Sequence, residues 1–389
     1  MKEAEEDITR EARRRLSRRR ALETLLFGGA ASLLLPPAVA QTAQPQQGQG
    51  AAPQQPPRRR PPQQPPKVKP PAPLVRVDPA TAFTLAIVPD TQQEVLDAKD
   101  DRLRNRFQWL VDNREVLNLR YMLQTGDFMN WDTPDHIQYE RASAALEVLD
   151  RAGLPYALAI GNHDTAATKE GGSAAPGNTR DNQRNTSTFN RYFGVSRQRR
   201  LEGVFEPGKV DNAYQTFAAG GLLWLVMNME LWPRAEVVEW AATVAERHPA
   251  HNIILITHSY LNGRGDIEQT NGGYGHNSPQ FVFDKLVSRY PNFRLIFAGH
   301  TGQHGYRTDT VAGGGVVHSF LTTYHSNFDN PVRLLTIDTK AGTMQTRVFC
   351  PSSGMDRDDD STQTITGVSW VPSVYPPGVA PARPAPAAV

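Results

Sequence analysis

The 389-residue sequence has a single cysteine, Cys350. That excludes an intramolecular disulfide framework and any thiolate metal cluster. Cys350 closes the strand-like run TMQTRVFC and reads as a small, partly buried residue. A basic field is also missing from most of the chain. Residues 1–78 hold 14 Lys/Arg against 7 Asp/Glu, and the remainder holds 28 against 33. The net charge of +2 therefore hides a mildly acidic body, which offers no surface of the kind that attracts nucleic acid. Long apolar runs are absent too. The stretch 24–35 is too short to span a bilayer comfortably, so no transmembrane segment is expected in the mature chain. There is no internal repeat.

That short apolar stretch has another reading. Basic clusters at 13–15 and 18–20 precede it, and Ala38-Val39-Ala40 forms a small-x-small cleavage site before Gln41. Residues 1–40 are thus expected to be an export signal, and the protein to be periplasmic or extracellular. Ser17-Arg18-Arg19 followed by Leu22 resembles a twin-arginine signal, with Ala21 a weak stand-in for a bulkier residue. The export partner would then be the twin-arginine machinery, which carries folded, metal-loaded proteins; an ordinary secretory signal is the alternative. Residues 41–78, rich in Pro and Gln, are expected to be a semi-rigid linker reaching on the order of 100 Å. A Pro/Ala-rich tail is expected over 351–389, which leaves 79–350 as the globular domain.

Within 79–350, apolar runs alternate with helical patterns. Strands are expected at 83–88, 119–124, 156–160, 222–229, 253–257 and 293–298, and later at 316–323, 332–337 and 343–349. Helices are expected at 101–117, 135–152, 235–248 and 279–289. In the third, Val237, Val238, Trp240, Ala241 and Val244 make one apolar face, with Trp240 read as core. The alternation argues for a layered α/β fold.

Polar residues follow five of these strands. Asp90 follows the first in LAIVPDTQQ, and Asp127 follows the second in TGDFMN. Asn162, His163 and Asp164 follow the third in GNHD. His258 ends the 253–257 strand in THS, and His300 and His304 follow the 293–298 strand in AGHTGQHG. In open α/β sheets the carboxyl ends of strands gather at one edge, where ligands bind. A lone Gly-Asp turn or a lone histidine means little; the ordered set points to a metal centre. Two divalent ions sharing a carboxylate and a hydroxide can clamp a phosphoryl group during in-line displacement. Carboxylate, amide and imidazole ligands suit manganese, iron or zinc.

These motifs resemble the calcineurin-like metallophosphoesterases, in their bacterial exported branch. The resemblance covers roughly 80–350 and is most specific at GNHD. It implies two mixed β-sheets packed as a sandwich and flanked by helices. It also implies hydrolysis of phosphate esters, mono- or diester, by a metal-bound hydroxide with a histidine general acid. On that resemblance Asp127 bridges two metals. Asn162, His258 and His300 complete the second site, and Asp90 is a ligand of the first. His163 protonates the leaving group and Asp164 orients it.

Two positions depart from the family pattern, and both belong to the first metal. Gln92 stands where a histidine is usual, and Gly302 stands where the later Gly-His-x-His motif has its second histidine. Gln92 is either an oxygen ligand or a turn-capping amide. The pair His304-Gly305 comes two residues late, and Gly302 allows a bulge there. A weaker first site of Asp90, Gln92, Asp127 and His304 is therefore expected; the alternative leaves His304 a surface loop residue. Candidate substrate readers are Arg180, Arg184 and Arg191, then Tyr274, His276 and Asn277, then Tyr324 and His325. The substrate is expected to be a phosphorylated small molecule or an envelope phosphoester. A single-metal phosphatase and a catalytically silent envelope-binding protein on the same fold are the competing readings.

Overall fold

The computed structural model describes residues 65–372. The signal expected over 1–40, most of the linker expected over 41–78 and the end of the expected tail lie outside those residues. The strands are β1 (Val68–Lys69), β2 (Ala82–Val88), β3 (Leu119–Gln124), β4 (Tyr156–Leu158), β5 (Leu201–Val204), β6 (Ala213–Ala219), β7 (Leu222–Asn228) and β8 (His251–Ile256). They continue with β9 (Phe293–Ala298), β10 (His304–Thr310), β11 (Val316–Thr322), β12 (Val332–Asp338), β13 (Thr343–Cys350), β14 (Met355–Arg357) and β15 (Gln363–Thr366). The helices are α1 (Arg102–Asp112), α2 (Ile137–Ala152), α3 (Thr179–Arg184), α4 (Ser187–Phe193), α5 (Ala235–Arg247) and α6 (Pro279–Lys285).

One sheet runs β1-β14-β13-β12-β2-β3-β4, with β15 joined to β13; the other runs β10-β11-β9-β8-β7-β6-β5. Both are mixed. Strands β2, β3 and β4 are parallel, as are β7, β8, β9 and β11, with antiparallel neighbours outside them. The strand period explains the packing. Phe83, Leu85 and Ile87 of β2 meet Trp224, Val226, Ile254 and Phe297 of the other sheet. The alternate residues Ala86 and Val88 meet Leu103 and Phe107 of α1 and Leu146 of α2. Burial on both faces is why β2 reads as an apolar run interrupted only at Thr84, whose hydroxyl pairs with that of Thr336 at 3.0 Å. On the far side, Leu225, Met227 and Leu255 pack against Val237, Ala241 and Val244 of α5. The result is the expected α/β sandwich of two mixed sheets flanked by helices. Trp240 is half-buried at its rim, packed 6.0 Å from Phe205, rather than deep in the core.

The folded body extends past the expected bounds of 79 and 350. Strand β1, inside the expected linker, pairs with β14, and β14 and β15, inside the expected tail, pair with β13. Short edge strands need only backbone partners, so their proline-rich and aspartate-rich composition conceals them. The polar edge strand β10 went unread for the same reason. The expected helix 279–289 breaks after Lys285 into a 3-10 turn at Val287–Arg289. Its start is as expected: Ser278 caps it, accepting from the Phe281 N–H at 3.3 Å, and Pro279 follows.

Candidate active site

The carboxyl ends of β2, β3, β4, β8, β9 and β11 deliver the polar loops. The backbone is tight there. Asp127 and His300 sit in the left-handed region at φ +52° and +76°, a conformation costing about 1–2 kcal/mol for a residue with a side chain. A Cβ at Gly161 would strike the Asp127 carboxylate, and one at Gly299 would strike that of Asp90. Those two glycines are what lets each carboxylate lie against the neighbouring turn.

Two groups of ligand atoms share Asp127. In the first, His258 Nε2 lies 3.1 Å from Asp127 Oδ2 and 3.2 Å from His300 Nδ1. His258 Nδ1 donates to the Thr125 carbonyl at 2.8 Å, which turns Nε2 toward the group. The Asn162 side-chain oxygen is buried without a partner. In the second group, His325 Nε2 lies 2.8 Å from Asp90 Oδ2. Gln92 Nε2 lies 3.4 Å from Asp127 Oδ2 and 3.2 Å from His325 Nε2. Asp90 Oδ1 and Gln92 Oε1 are both buried without partners.

Three partnerless acceptors among these residues are the test of fit. A buried polar atom left unpaired costs about 1–3 kcal/mol. All three are oxygens with lone pairs, and two of them belong to residues, Asp90 and Gln92, that contact the His325 imidazole. Such a set suits divalent cations and repels anions.

Electrostatics follow the same division. Burial disfavours the Asp127 carboxylate, but the imidazoles of His258 and His163 outweigh it and hold its pKa well below the usual range. Burial likewise disfavours charge on His258, yet Asp127 lifts that imidazole to about 9. Burial and the neighbouring His258 push His300 down to about 3. Asp90 is raised, because burial prevails over the attraction of His325.

Several expected roles change. His304 does not join Asp90. It opens β10 opposite Thr322, and its Nε2 faces Asp360 at 3.3 Å and Asp359 at 3.7 Å. His325, expected to read substrate, stands with Asp90 and Asp127 instead. Asp164 does not orient His163. Its carboxylate accepts from the Met129 and Gly161 N–H groups at 2.9 and 2.8 Å, stapling two site loops together. The His163 ring is oriented by a backbone carbonyl, Nδ1 donating to Asn130 at 2.6 Å. The His163 N–H donates to Asp127 Oδ1 at 3.0 Å.

The substrate candidates also sort themselves. Arg184 is committed to Glu230 at 3.0 Å and to the Leu231 carbonyl at 2.6 Å. Tyr324 is buried, its hydroxyl accepting from Arg333 at 3.3 Å. Arg191 lies over Tyr192, and the Asn277 amide donates to the Pro233 carbonyl. Tyr274 sits 4.7 Å from the Trp232 ring, and Trp232 sits 5.3 Å from that of His300. The His276 N–H donates to the Trp232 carbonyl at 3.2 Å; burial and Arg184 keep its imidazole pKa low. Trp232 and the Asn130 carbonyl carried no signal in sequence, since an interior tryptophan and a backbone oxygen look like any others.

Residues 83–304 match the calcineurin-like phosphoesterase family. The chain is 26% identical over 258 residues to the uncharacterized protein YvnB of Bacillus subtilis (strain 168), a match covering 63% of this chain and 18% of that protein. Among solved structures, a dimetal phosphatase from Danio rerio is similar at 12% identity and a TM-score of 0.46, covering 74% of this chain and 99% of that one. The protein TT1561 of Thermus thermophilus is similar at 14% identity and a TM-score of 0.38, covering 68% of this chain and 98% of that one. The matched span holds more than half of the sequence and every loop from Asp90 to His304, and the chain belongs to the calcineurin-like phosphoesterase family.

Proposed function

We propose that this protein hydrolyses phosphate esters with two divalent metal ions, held by the two groups that share Asp127, and with His163 as general acid. The observation that carries the reading is the Asp127 carboxylate shared by the two ligand groups, together with a buried partnerless oxygen on each of Asp90, Gln92 and Asn162. Asp127 serves both ions, His258, His300 and Asn162 hold one, and Asp90 holds the other. Bound there, the ions would supply Lewis acidity toward a phosphoryl group and a water activated near neutral pH.

The chain's own residues set the proton chemistry. The Nδ1–H of His163 is committed to the Asn130 carbonyl, so Nε2 is the nitrogen that exchanges a proton. A proton carried on that Nε2 can be passed to a departing alkoxide. Asp164 keeps the turn that carries His163 against the loop of Asp127. The expected substrates are a phosphorylated small molecule or an envelope phosphoester, met outside the cytoplasm if residues 1–40 act as an export signal.

The test is turnover of p-nitrophenyl phosphate and bis-p-nitrophenyl phosphate with manganese added. His163→Ala should lower kcat by roughly 10²–10⁴-fold on alkyl phosphates and far less on p-nitrophenyl esters, with metal content retained. Absence of turnover on every ester by protein holding two ions would overturn the reading, as would an equal loss for good and poor leaving groups.

A further inference from the structure

Resting on that two-ion reading, we infer that the first ion is bound by Asp90, Gln92, Asp127 and His325, and that the two positions take different classes of cation. The first set offers three oxygens and one imidazole nitrogen. The second, Asp127, Asn162, His258 and His300, offers two of each. Oxygen-rich sets favour manganese or magnesium, and nitrogen-richer sets favour zinc or iron.

The structure explains why the histidine comes from residue 325. Position 302 has φ +71°, and a Cβ there would lie 2.9 Å from the Gly263 Cα. The loop after His258 thus occupies the space that a side chain at 302 needs. His304 is then carried away by pairing along β10. Strand β11 runs parallel to β9, so its carboxyl end reaches the same edge as His300. Tyr324 turns the chain at that end with φ +41°. Its ring is held beneath Arg357 at 5.2 Å, and its hydroxyl is bonded to Arg333. The next residue, His325, lies 2.8 Å from Asp90. On the far side of that residue, Arg102 donates to the Ser326 and Asp329 carbonyls, both at 3.3 Å.

Gln92 completes the set in a way a histidine would not. Its N–H points to Asp127 Oδ2, and its Oε1 is left without a partner in a buried position. The same nitrogen lies 3.2 Å from His325 Nε2, so a half-turn of the amide would bring Oε1 to the ion in its place.

The experiment loads metal-stripped protein with zinc and manganese together, dialyses it, and reads elemental content. Pulsed EPR on the bound manganese then counts nitrogen couplings. One retained zinc and one exchangeable manganese are expected, the manganese coupled to a single histidine nitrogen. His325→Ala should lose the manganese equivalent, and His304→Ala should keep both the ion and the coupling. Gln92→His should add a second nitrogen coupling and raise zinc uptake at the first position. If wild-type protein binds fewer than two ions, the two-ion reading itself fails. If it binds two and folded His325→Ala keeps its manganese and nitrogen coupling, the assignment of His325 fails while that reading stands. Should His325→Ala not fold, the wild-type spectrum decides: no nitrogen coupling, or two, overturns the inference.

Discussion

Arg106→Met tests whether α1 holds the ligand loops of the first position. Arg106 is fully buried and makes paired bonds to Glu94, Nη1 to Oε2 at 2.8 Å and Nη2 to Oε1 at 2.5 Å. Its Nε donates to the Asn330 carbonyl at 3.2 Å. One guanidinium therefore ties the loop of Gln92 to the loop of His325. Methionine fills similar volume but leaves Glu94 buried and uncompensated, a loss of about 3–5 kcal/mol. Burial already raises the Glu94 pKa above its ordinary 4.5 against the opposing pull of Arg106, and removing Arg106 raises it further. A carboxyl with a raised folded pKa contributes its full stability below the unfolded value near 4.5. Above it, that contribution falls by about 1.4 kcal/mol per pH unit until the folded value is passed. Arg106→Met should accordingly be more stable to urea at about pH 5 than at about pH 8 relative to wild type. Adding Glu94→Gln should remove the slope and recover most of the stability. A single variant within about 1 kcal/mol of wild type, or a slope that survives in the double variant, would refute the clamp.

Two other substitutions separate competing roles. Asp164→Asn turns one of two acceptors into a donor facing a backbone N–H, so urea unfolding should show a loss of about 1–3 kcal/mol. The dependence of rate on leaving-group pKa should stay as in wild type, because both Asp164 oxygens accept from backbone N–H groups and the His163 ring is set by the Asn130 carbonyl. His318 is buried, and burial followed by the nearby Arg294 charge holds its pKa down to about 4. A depressed histidine pKa leaves stability intact above about 6.5 and lost as pH falls toward 4. His318→Gln, still able to bond the Tyr306 hydroxyl, should spare about 2 kcal/mol of the loss measured between about pH 7 and pH 4.5.

Sequence alone determined the parts whose physics is local. Strand β2 was legible because burial on both faces demands apolar residues throughout, and all but Thr84 of its seven are apolar. The turns at Asp127, Asn162, His258 and His300 were legible because each follows such a run directly and the parallel order sends all of them to one edge. His325 left a weak signal of the same kind, following β11. Tertiary structure decided its use, because its partners Asp90 and Asp127 lie some 200 residues away in the chain. The same holds for Gly302, whose missing side chain makes sense only with Gly263 packed against it. It holds for Asp164 and His163 too, neighbours in sequence that point to different partners because the turn between them sends one carboxylate to Met129 and Gly161 and one imidazole to Asn130. Adjacency along the chain fixes which residues share a loop; which atoms meet is set by how distant loops pack, and that packing rests on contacts a one-dimensional pattern does not contain.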